Sequence, residues 1–466
     1  MVAVELLTLG LALAIFLSVF RRNTARPRDD TLTVYDPAIA RSALIVDHGD
    51  AFANRPSPPT RPGRPVRHSI SSLPYGPAWR AVRSNLTGDI LRRARLGAFA
   101  PLEREAAEAL VAGVSAALGA SDVAVRHIVH RAIFGLIARL CFGDDIDARD
   151  LGNMRRVLEE FFDSYAVVKA SESSWLARLR QWRLRRRYAG TYGRLDEAFM
   201  PTVMARRRHL TTHQGGNGGG LRPHLDSLLE LRVPTDDDDG EHSRRALTDA
   251  EVVMFVWEFL GAGTLSLMSC VEWTLAHLAA KPEIQEKLHR EVAAGDQGKD
   301  DAAASALRLP YLHAVVLESL RLHPPVPFVV REVHAEGIAL GKAVVPPGGA
   351  RVRFVLGAIG RDGQVWSDPE EFRPERFLDG GEGEGVSLVP GQKEIIKMMP
   401  FGAGRRHCPG VAMGMAHIKC FLAELVREFE WAPPVEGGID FTEVDGFRKS
   451  MKTPLRVRIT RRSYPK

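Results

Sequence analysis

One cysteine of the sequence lies in a setting suited to metal ligation. Cys408 belongs to the decapeptide FGAGRRHCPG, residues 401–410, and an apolar pattern with helical period follows from Val411 onwards. Pro409 suits a first helical turn, where a missing N–H costs nothing. A helix N-terminus favours an anionic sulfur, which is the form of cysteine that binds metals. The glycines of the decapeptide allow a flat cofactor to approach its backbone closely. This setting suits a thiolate metal ligand, but on these features alone a buried structural cysteine in an ordinary loop is the alternative for Cys408.

Two hydroxyl groups interrupt a long apolar segment of the sequence. They belong to Thr264 and Ser266, near the middle of an apolar segment with helical period, residues 249–278. A hydroxyl both donates and accepts a hydrogen bond, so it can pass a proton. Gly261 and Gly263 interrupt the same segment at a cost of roughly 1 kcal/mol each relative to alanine. They indicate either close packing or a local widening of the helix.

The decapeptide matches the haem-binding signature of the cytochrome P450 family, F-x-x-G-x-R-x-C-x-G. The matching residues are Phe401, Gly404, Arg406, Cys408 and Gly410. The resemblance implies that Cys408 is the axial ligand of haem b (iron protoporphyrin IX), since a cysteine thiolate holds the iron in this family. It also implies that Phe401 packs against the ligand and that Arg406 pairs with a haem propionate.

Further residues resemble the propionate-binding groups of the same family. Trp79 and Arg83, in WRAVR, lie one helical turn apart and resemble the W-x-x-x-R motif, which donates hydrogen bonds to a haem propionate. Arg331 matches another propionate-binding arginine that follows a helix stop at Pro324 and Pro325. The resemblance thus assigns Trp79, Arg83, Arg331, Phe401, Arg406 and Cys408 to cofactor binding.

A second set of charged residues resembles the structural motifs of the family. Glu318 and Arg321 are three residues apart, the spacing of an ion pair on one helix face. They resemble the E-x-x-R pair of the K helix, and Arg376, in FRPERF, resembles the second arginine motif. The resemblance implies that these three residues form a charge network that serves folding and haem retention rather than the reaction.

The central part of the apolar segment departs from the family pattern. It resembles the I helix, whose centre reads A/G-G-x-D/E-T-T/S, and residues 262–267 read AGTLSL. Ser266 keeps the alcohol, whereas Leu265 stands in the place of the acid. In the family the acid–alcohol pair relays protons during oxygen activation, a function typically worth 10²–10⁴-fold in rate. Three outcomes remain open: water and Ser266 suffice, turnover is slow and releases peroxide, or the reaction needs no relay.

The elements that hold these residues are mainly helices. Helical periods, short β-rich segments and turn residues predict a mainly α fold with minor β structure. The resemblance implies the cytochrome P450 fold, with haem between the long I helix and the L helix after the cysteine loop. Residues 31–466 are predicted to form one catalytic domain. Three Gly-rich or acidic segments are predicted to be mobile surface loops: residues 211–223, 234–244 and 379–386.

The N-terminal sequence and the composition indicate where in the cell the protein is expected. Residues 6–20 are uninterruptedly apolar, and four arginines follow within residues 21–30. This order predicts an uncleaved membrane anchor over residues 1–20, a basic linker over residues 21–30, and a domain on the cytoplasmic side. The formal net charge of +6 comes with abundant acids, so it does not indicate a nucleic-acid-binding protein. The four widely spaced cysteines suit a reducing compartment.

The resemblance implies a monooxygenase that inserts one atom of O₂ into a lipophilic small molecule. Electrons would come from NADPH through NADPH–cytochrome P450 reductase at the endoplasmic reticulum membrane, with Lys393, Lys397 and Arg405 as a candidate basic docking face. The general pattern resembles plant microsomal members, although the N-terminal region is shorter than theirs. Two alternatives remain open: an impaired or non-catalytic haem protein, indicated by Leu265 and the short N-terminus, and a family member that rearranges peroxides without a reductase.

Overall fold

A computed structural model of the chain describes residues 31–58, 66–144, 146–168, 175–212, 221–235, 243–295, 306–446 and 448–463. The predicted anchor, residues 1–20, and the predicted linker, residues 21–30, lie outside the described residues. The described part is mainly helical with short strands, as the sequence predicts.

The helices are numbered in chain order. Short 3₁₀ segments connect some of them at Arg93–Phe99, Pro374–Phe377 and Gly404–Arg406, and a π-helical turn at Ser42–Val46 follows the first helix. The α-helices are α1 (Pro37–Arg41), α2 (Pro77–Gly88), α3 (Ala100–Ser115), α4 (Val125–Phe142), α5 (Ala148–Val168), α6 (Trp175–Thr212), α7 (His224–Glu230), α8 (Asp249–Ala280), α9 (Pro282–Gly295), α10 (Pro310–Leu322), α11 (Leu356–Gly360) and α12 (Val411–Glu428).

The strands form small sheets at the periphery of the helices. One three-stranded sheet has the order β1-β8-β5, in which β1 pairs parallel and β5 antiparallel to β8, and another has the order β2-β12-β9. The pairs β3-β4, β6-β7 and β10-β11 are antiparallel. The strands are β1 (Thr31–Val34), β2 (Val123–Ala124), β3 (Arg232–Pro234), β4 (Arg244–Ala246), β5 (Phe328–Val333), β6 (Ala339–Leu340), β7 (Ala343–Val344), β8 (Ala350–Val355), β9 (Phe429–Ala432), β10 (Glu443–Asp445), β11 (Lys449–Met451) and β12 (Arg456–Arg461).

Helix α8 is the central element of the larger hydrophobic core. Its N-terminus has a capping box, which the Thr-x-x-Glu spacing of residues 248–251 indicates in the sequence. The Thr248 hydroxyl accepts from the Glu251 N–H, and the Glu251 carboxylate accepts from the Thr248 N–H. Within the described part of the chain, α8 is also the helix long and apolar enough to cross a membrane. Because 78% of its most apolar window is buried inside the protein, core packing accounts for this apolarity.

The glycines of α8 allow neighbouring helices to pack closely. A Cβ at Gly261 would lie 2.7 Å from the Phe162 ring of α5, and a Cβ at Gly263 would lie 3.1 Å from Ile137 of α4. The helix is continuous through both positions. Close packing is therefore their role, and the alternative of a local widening is not observed.

One predicted mobile loop is instead tied to its surroundings. In the segment 379–386, the Glu382 carboxylate accepts hydrogen bonds from the Ser367 N–H and hydroxyl at 3.1 and 2.9 Å. The same carboxylate contacts the Arg376 guanidinium. The segment is thus an anchored turn, although its Gly/Glu composition is typical of a free connector. Of the other two predicted loops, residues 213–220 and 236–242 lie outside the described residues.

Candidate active site

The cysteine loop delivers Cys408 to the N-terminus of α12. The Cys408 N–H donates to the Phe401 carbonyl oxygen at 2.8 Å, which closes the loop, and the Gly410 N–H donates to the Cys408 sulfur at 3.4 Å. Gly404 has φ +70°, and a Cβ at this position would clash with the Leu44 carbonyl oxygen. The loop therefore requires glycine at position 404 both for its backbone conformation and for its contact with the segment after α1.

The protonation of Cys408 differs from the expectation for a helix N-terminus. Burial raises the pKa of the thiol above its ordinary value, while the Gly410 N–H and the positive charges of Arg83 and Arg55 act in the opposite direction. Burial is the largest of these effects because the sulfur is withdrawn from water. The protein alone thus favours the thiol, and a metal ion bound to this sulfur would have to displace its proton.

Four arginines converge around Cys408, and we call them the arginine cluster: Arg55, Arg83, Arg331 and Arg406. Burial lowers the pKa of each guanidinium, in the case of Arg406 to about 10. Their charges also lower one another's pKa, as Arg55 does for the other three. Such an accumulation of buried positive charge is costly unless anions compensate it.

Arg331 provides the strongest indication that an anion belongs here. It lies on β5, is 1% exposed, and donates from Nη1 to the Val330 carbonyl oxygen at 3.1 Å. Its Nε and Nη2 atoms have no hydrogen-bond partner among the described residues, and neither has Nε of Arg55. A guanidinium presents five donors and no acceptor, so a carboxylate is the complementary group. The two propionates of haem meet this requirement.

Arg406 and Trp79 connect the cysteine loop to the preceding part of the chain. Arg406 donates from Nε to the Ala53 carbonyl oxygen at 2.6 Å and from Nη2 to the Leu73 carbonyl oxygen at 2.7 Å. Its guanidinium carbon lies 4.4 Å from the centroid of the buried Trp79 ring. Arg83, one turn further along α2, has Nη2 3.4 Å from His407 Nε2. Much of the donor capacity of Arg406 is therefore engaged by backbone carbonyls.

Helix α8 presents one line of accessible side chains in an otherwise buried surface. Between residues 252 and 279, the positions that are not buried are Glu258, Phe259, Ala262, Gly263 and Ser266. Their spacing of three, four and seven residues places them on one side of the helix. We call this line the accessible stripe.

The two candidate hydroxyls of α8 have different surroundings. Ser266 lies on the accessible stripe, and its hydroxyl donates to the Ala262 carbonyl oxygen at 2.6 Å. Thr264 is 1% exposed, and its hydroxyl has no hydrogen-bond partner among the described residues. Two residues correspond to about 200° around a helix, so Thr264 faces nearly the opposite direction. Leu265, at the position of the family acid, is 8% exposed and belongs to the hydrophobic core.

The residues of the predicted charge network lie together. Glu318 accepts from Arg321 Nε and Nη2 at 2.6 and 2.8 Å and from Arg376 Nε at 3.1 Å, and all three side chains are completely buried. Arg321 also donates to the Gly360 carbonyl oxygen at 2.9 Å. The network joins α10, α11 and the 3₁₀ turn at Pro374–Phe377, which is a structural role.

Arg55 is the member of the arginine cluster that sequence reasoning missed. It precedes Pro56 in a Pro-rich segment without periodicity, so no local pattern distinguishes it from a surface arginine. In the structure its Nη2 donates to the Arg406 carbonyl oxygen at 3.4 Å, and its charge acts on Cys408. Arg55 enters the site because residues 53–55 and 70–73 contact the cysteine loop, which is distant in sequence.

Comparison with known proteins identifies the family. The cytochrome P450 family model matches residues 25–459. Cytochrome P450 89A9 of Arabidopsis thaliana is 32% identical, over 94% of this chain and 84% of its own length, and cytochrome P450 78A7 of the same plant is 30% identical, over 91% and 77%. A solved zebra fish cytochrome P450, in a structure with progesterone, gives a TM-score of 0.71 at 22% identity, covering 93% of this chain and 94% of that one. This likeness shows the fold alone.

The predicted resemblance, including the likeness to plant members, is thus confirmed. Members of this family generally carry a haem iron, use a redox partner and act on lipophilic substrates. The chain belongs to the cytochrome P450 family and is, in general terms, a haem monooxygenase.

Proposed function

We propose that this protein inserts one oxygen atom from O₂ into a lipophilic small molecule, using electrons from NADPH delivered by NADPH–cytochrome P450 reductase. The observation that carries the proposal is the arginine cluster around Cys408, with the unpartnered buried donors of Arg331 and Arg55. Together they supply one sulfur ligand for an iron and several donors for carboxylates. Haem b carries both an iron and two carboxylates, so its chemistry fits the residues present.

In this proposal each residue of the site has a defined role. Cys408 holds the iron as a thiolate and donates electron density to it. Arg83 and Arg331, together with Arg55, donate hydrogen bonds to the propionates. Arg406 and Trp79 also donate to the propionates, as the resemblance implies, and they hold the cysteine loop against residues 53–55 and 70–73. Phe401 packs against the sulfur ligand, as the resemblance implies, and fixes the loop through its carbonyl oxygen. Haem bound there would supply the iron at which O₂ is reduced.

Proton delivery is assigned to Ser266. Its position on the accessible stripe allows its hydroxyl to leave the Ala262 carbonyl oxygen and to donate toward a reacting oxygen instead. Thr264 is not proposed for this role, since its buried hydroxyl faces away from the stripe. Leu265 cannot pass a proton, and no other residue takes the acid's place on the neighbouring turn. Water must therefore reprotonate Ser266, and we expect part of the reducing equivalents to be lost as peroxide.

The N-terminal sequence supports a location at a membrane. The apolar run of residues 6–20, followed by the arginines at 21–28, supports an anchor in the endoplasmic reticulum membrane with the catalytic domain in the cytoplasm. Two of the three basic residues of the candidate docking face have partners within the protein. Lys393 is exposed, but Arg405 pairs with Asp50 at 2.6 Å and Lys397 contacts the Glu382 carbonyl oxygen.

The test is a reconstitution of the full-length protein with the reductase in phospholipid vesicles. NADPH oxidation, peroxide release and substrate oxidation are measured with a panel of lipophilic compounds. We expect NADPH-dependent oxidation of at least one compound, accompanied by peroxide, and a lower ratio of product to NADPH in Ser266→Ala. An assay with Thr264→Val serves as the control, because this hydroxyl lies off the stripe.

Other results would replace the proposal. If the protein oxidises no compound although it carries haem, the impaired or non-catalytic alternative is favoured, as Leu265 indicates. If it converts a fatty-acid hydroperoxide without NADPH and reductase, the peroxide-rearranging alternative is favoured.

A further inference from the structure

The ring of His407, the residue directly before Cys408, contacts both the cysteine loop and α2. Its Nδ1 atom lies 3.0 Å from the Gly404 carbonyl oxygen, and its Nε2 atom lies 3.4 Å from Nη2 of Arg83. The His407 N–H donates to the same Gly404 carbonyl oxygen at 3.1 Å, which holds the ring close to it. His407 therefore links the loop that carries the sulfur to the helix that carries Arg83.

The two partners of the His407 ring determine which ring nitrogen carries hydrogen. A carbonyl oxygen only accepts hydrogen bonds, so Nδ1 must carry the hydrogen that is donated to Gly404. A guanidinium only donates, so Nε2 must offer its lone pair to Arg83. Both contacts thus require the same neutral form of the ring. Toward Arg83, the side chain of His407 acts as a hydrogen-bond acceptor.

The Arg83 guanidinium is repelled by other members of the arginine cluster. Burial lowers its pKa, whereas a charge on Cys408 raises it and the charge of Arg55 lowers it. The charge of Arg83 in turn lowers the pKa of Arg406. Within the described part of the chain, the hydrogen bond that this guanidinium makes is the one to His407. The lone pair of Nε2 therefore opposes a repulsion that drives Arg83 away from the cluster.

The hydrogen bond to His407 also restricts the direction of the other Arg83 donors. A guanidinium holds its five N–H groups in one rigid plane, so anchoring Nη2 orients the remaining donors toward a propionate in the proposed haem site. The positive charge of Arg83 also lies close enough to Cys408 to lower the pKa of that thiol. A positive charge beside the sulfur favours the reduced state of an iron bound there, because reduction removes one positive charge from the iron.

We infer that His407 is a positioning residue: its Nε2 atom holds Arg83 beside the sulfur, and Arg83 thereby slows haem release and raises the reduction potential of the iron. The inference rests on the proposed function, since it requires haem at Cys408. It adds a residue that the resemblance does not assign to haem binding. A histidine suits this position because one side of its ring is tied to the loop while the other side accepts from α2.

Two substitutions separate the two contacts of the ring. In His407→Gln the amide oxygen reaches the position of Nε2 and accepts from Arg83. In His407→Asn the amide is one carbon shorter, so it donates to Gly404 but does not reach Arg83. The exposed His334, in the loop after β5, provides the control variant His334→Asn. The reduction potential of the full-length, haem-loaded proteins is measured by dithionite titration with indicator dyes, and haem release is measured by transfer to apomyoglobin.

We expect His407→Asn to have a more negative reduction potential and to release haem roughly three- to tenfold faster, the effect of one hydrogen bond. His407→Gln and His334→Asn should match the unmodified protein in both quantities. In the background of Arg83→Met, His407→Asn should change neither quantity further, because the acceptor then has no donor. If Arg83→Met retains too little haem for titration, the comparison of the Asn variant with the Gln variant decides.

Three results would overturn the inference. The first is an unchanged potential and release rate in His407→Asn. The second is an equal loss in His407→Gln and His407→Asn, which would mean that the contact with Gly404 matters rather than the contact with Arg83. The third is an equal effect of His407→Asn with and without Arg83. Absence of haem from the unmodified protein would instead refute the proposed function, and this result is distinguishable because it does not depend on any variant.

Discussion

Replacing Arg331 by methionine tests the proposed role of the arginine cluster. The guanidinium is 1% exposed, and two of its nitrogen atoms have no partner in the described part of the chain, although its charge is buried beside Arg55 and Arg406. In the haem-free protein each unsatisfied buried donor costs about 1–3 kcal/mol. Methionine has a similar length and no donor. We therefore expect the haem-free variant to be as stable as the unmodified protein or more stable, by up to about 3 kcal/mol.

In the haem-loaded protein, the same substitution should weaken the binding of haem. A hydrogen bond to a charged group contributes about 1.5–3 kcal/mol, which corresponds to a factor of roughly 10 to 150 in haem affinity. Haem loss is measured by transfer to an excess of apomyoglobin, and the free energy of unfolding is measured by urea titration with and without haem. The variant should release haem at least tenfold faster while its haem-free form loses no stability.

Arg353→Met is the matched control. Arg353 lies on β8, is paired in register with Val330 of β5, and also has an unpartnered Nε, but it is not part of the arginine cluster. We expect little change in haem release for this variant. Haem release by Arg331→Met at the unmodified rate, or strong destabilisation of its haem-free form, would show that Arg331 does not bind a propionate.

Three more predictions concern the framework of the site. Gly404→Ala should abolish haem incorporation because its Cβ would clash with the backbone of Leu44. Gly437 has φ +81° and open space around it, so Gly437→Ala should lower the free energy of unfolding by only about 1–2 kcal/mol. Haem content and thermal unfolding are measured for both variants. Glu318→Gln leaves the buried Arg321 without its counter-charge and should destabilise the fold by about 3–5 kcal/mol in urea titration; a loss below 1 kcal/mol would contradict this role. Burial lowers the pKa of His224 to about 3, so below pH 6.5 the unfolded chain takes up a proton while the folded protein does not. As the pH falls from 6.5, this group should therefore lower the free energy of unfolding by up to about 1.4 kcal/mol per pH unit. His224→Phe should remove this contribution from the pH dependence of the free energy of unfolding.

Local chemistry made much of the site predictable. Proline and glycine spacing placed Cys408 before a helix, and Thr248 with Glu251 indicated where α8 begins. These features depend on residues within a few positions of each other, so a single sequence contains them. The same holds for Glu318 and Arg321, one turn apart on α10.

Features that depend on distant contacts were not predictable. Arg55 enters the site because residues 53–55 and 70–73 pack on the cysteine loop, and the accessible side of α8 is defined only by the burial of its side chains. The Gly/Glu-rich segment 379–386 is fixed by Arg376 and Ser367, which its composition does not reveal. The pKa of Cys408 likewise depends on burial, which outweighs the helix terminus that the sequence does reveal.

Binding of haem iron by the sulfur of Cys408 is tested by the absorption spectrum of the reduced protein with carbon monoxide. The spectrum is recorded for the unmodified protein, for Cys408→Ala and for Cys420→Ala. Cys420 is a buried core cysteine on α12 and serves as the control. We predict the band of a thiolate-ligated haem in the unmodified protein and in Cys420→Ala, and its complete loss in Cys408→Ala. An unchanged band in Cys408→Ala would contradict the claim.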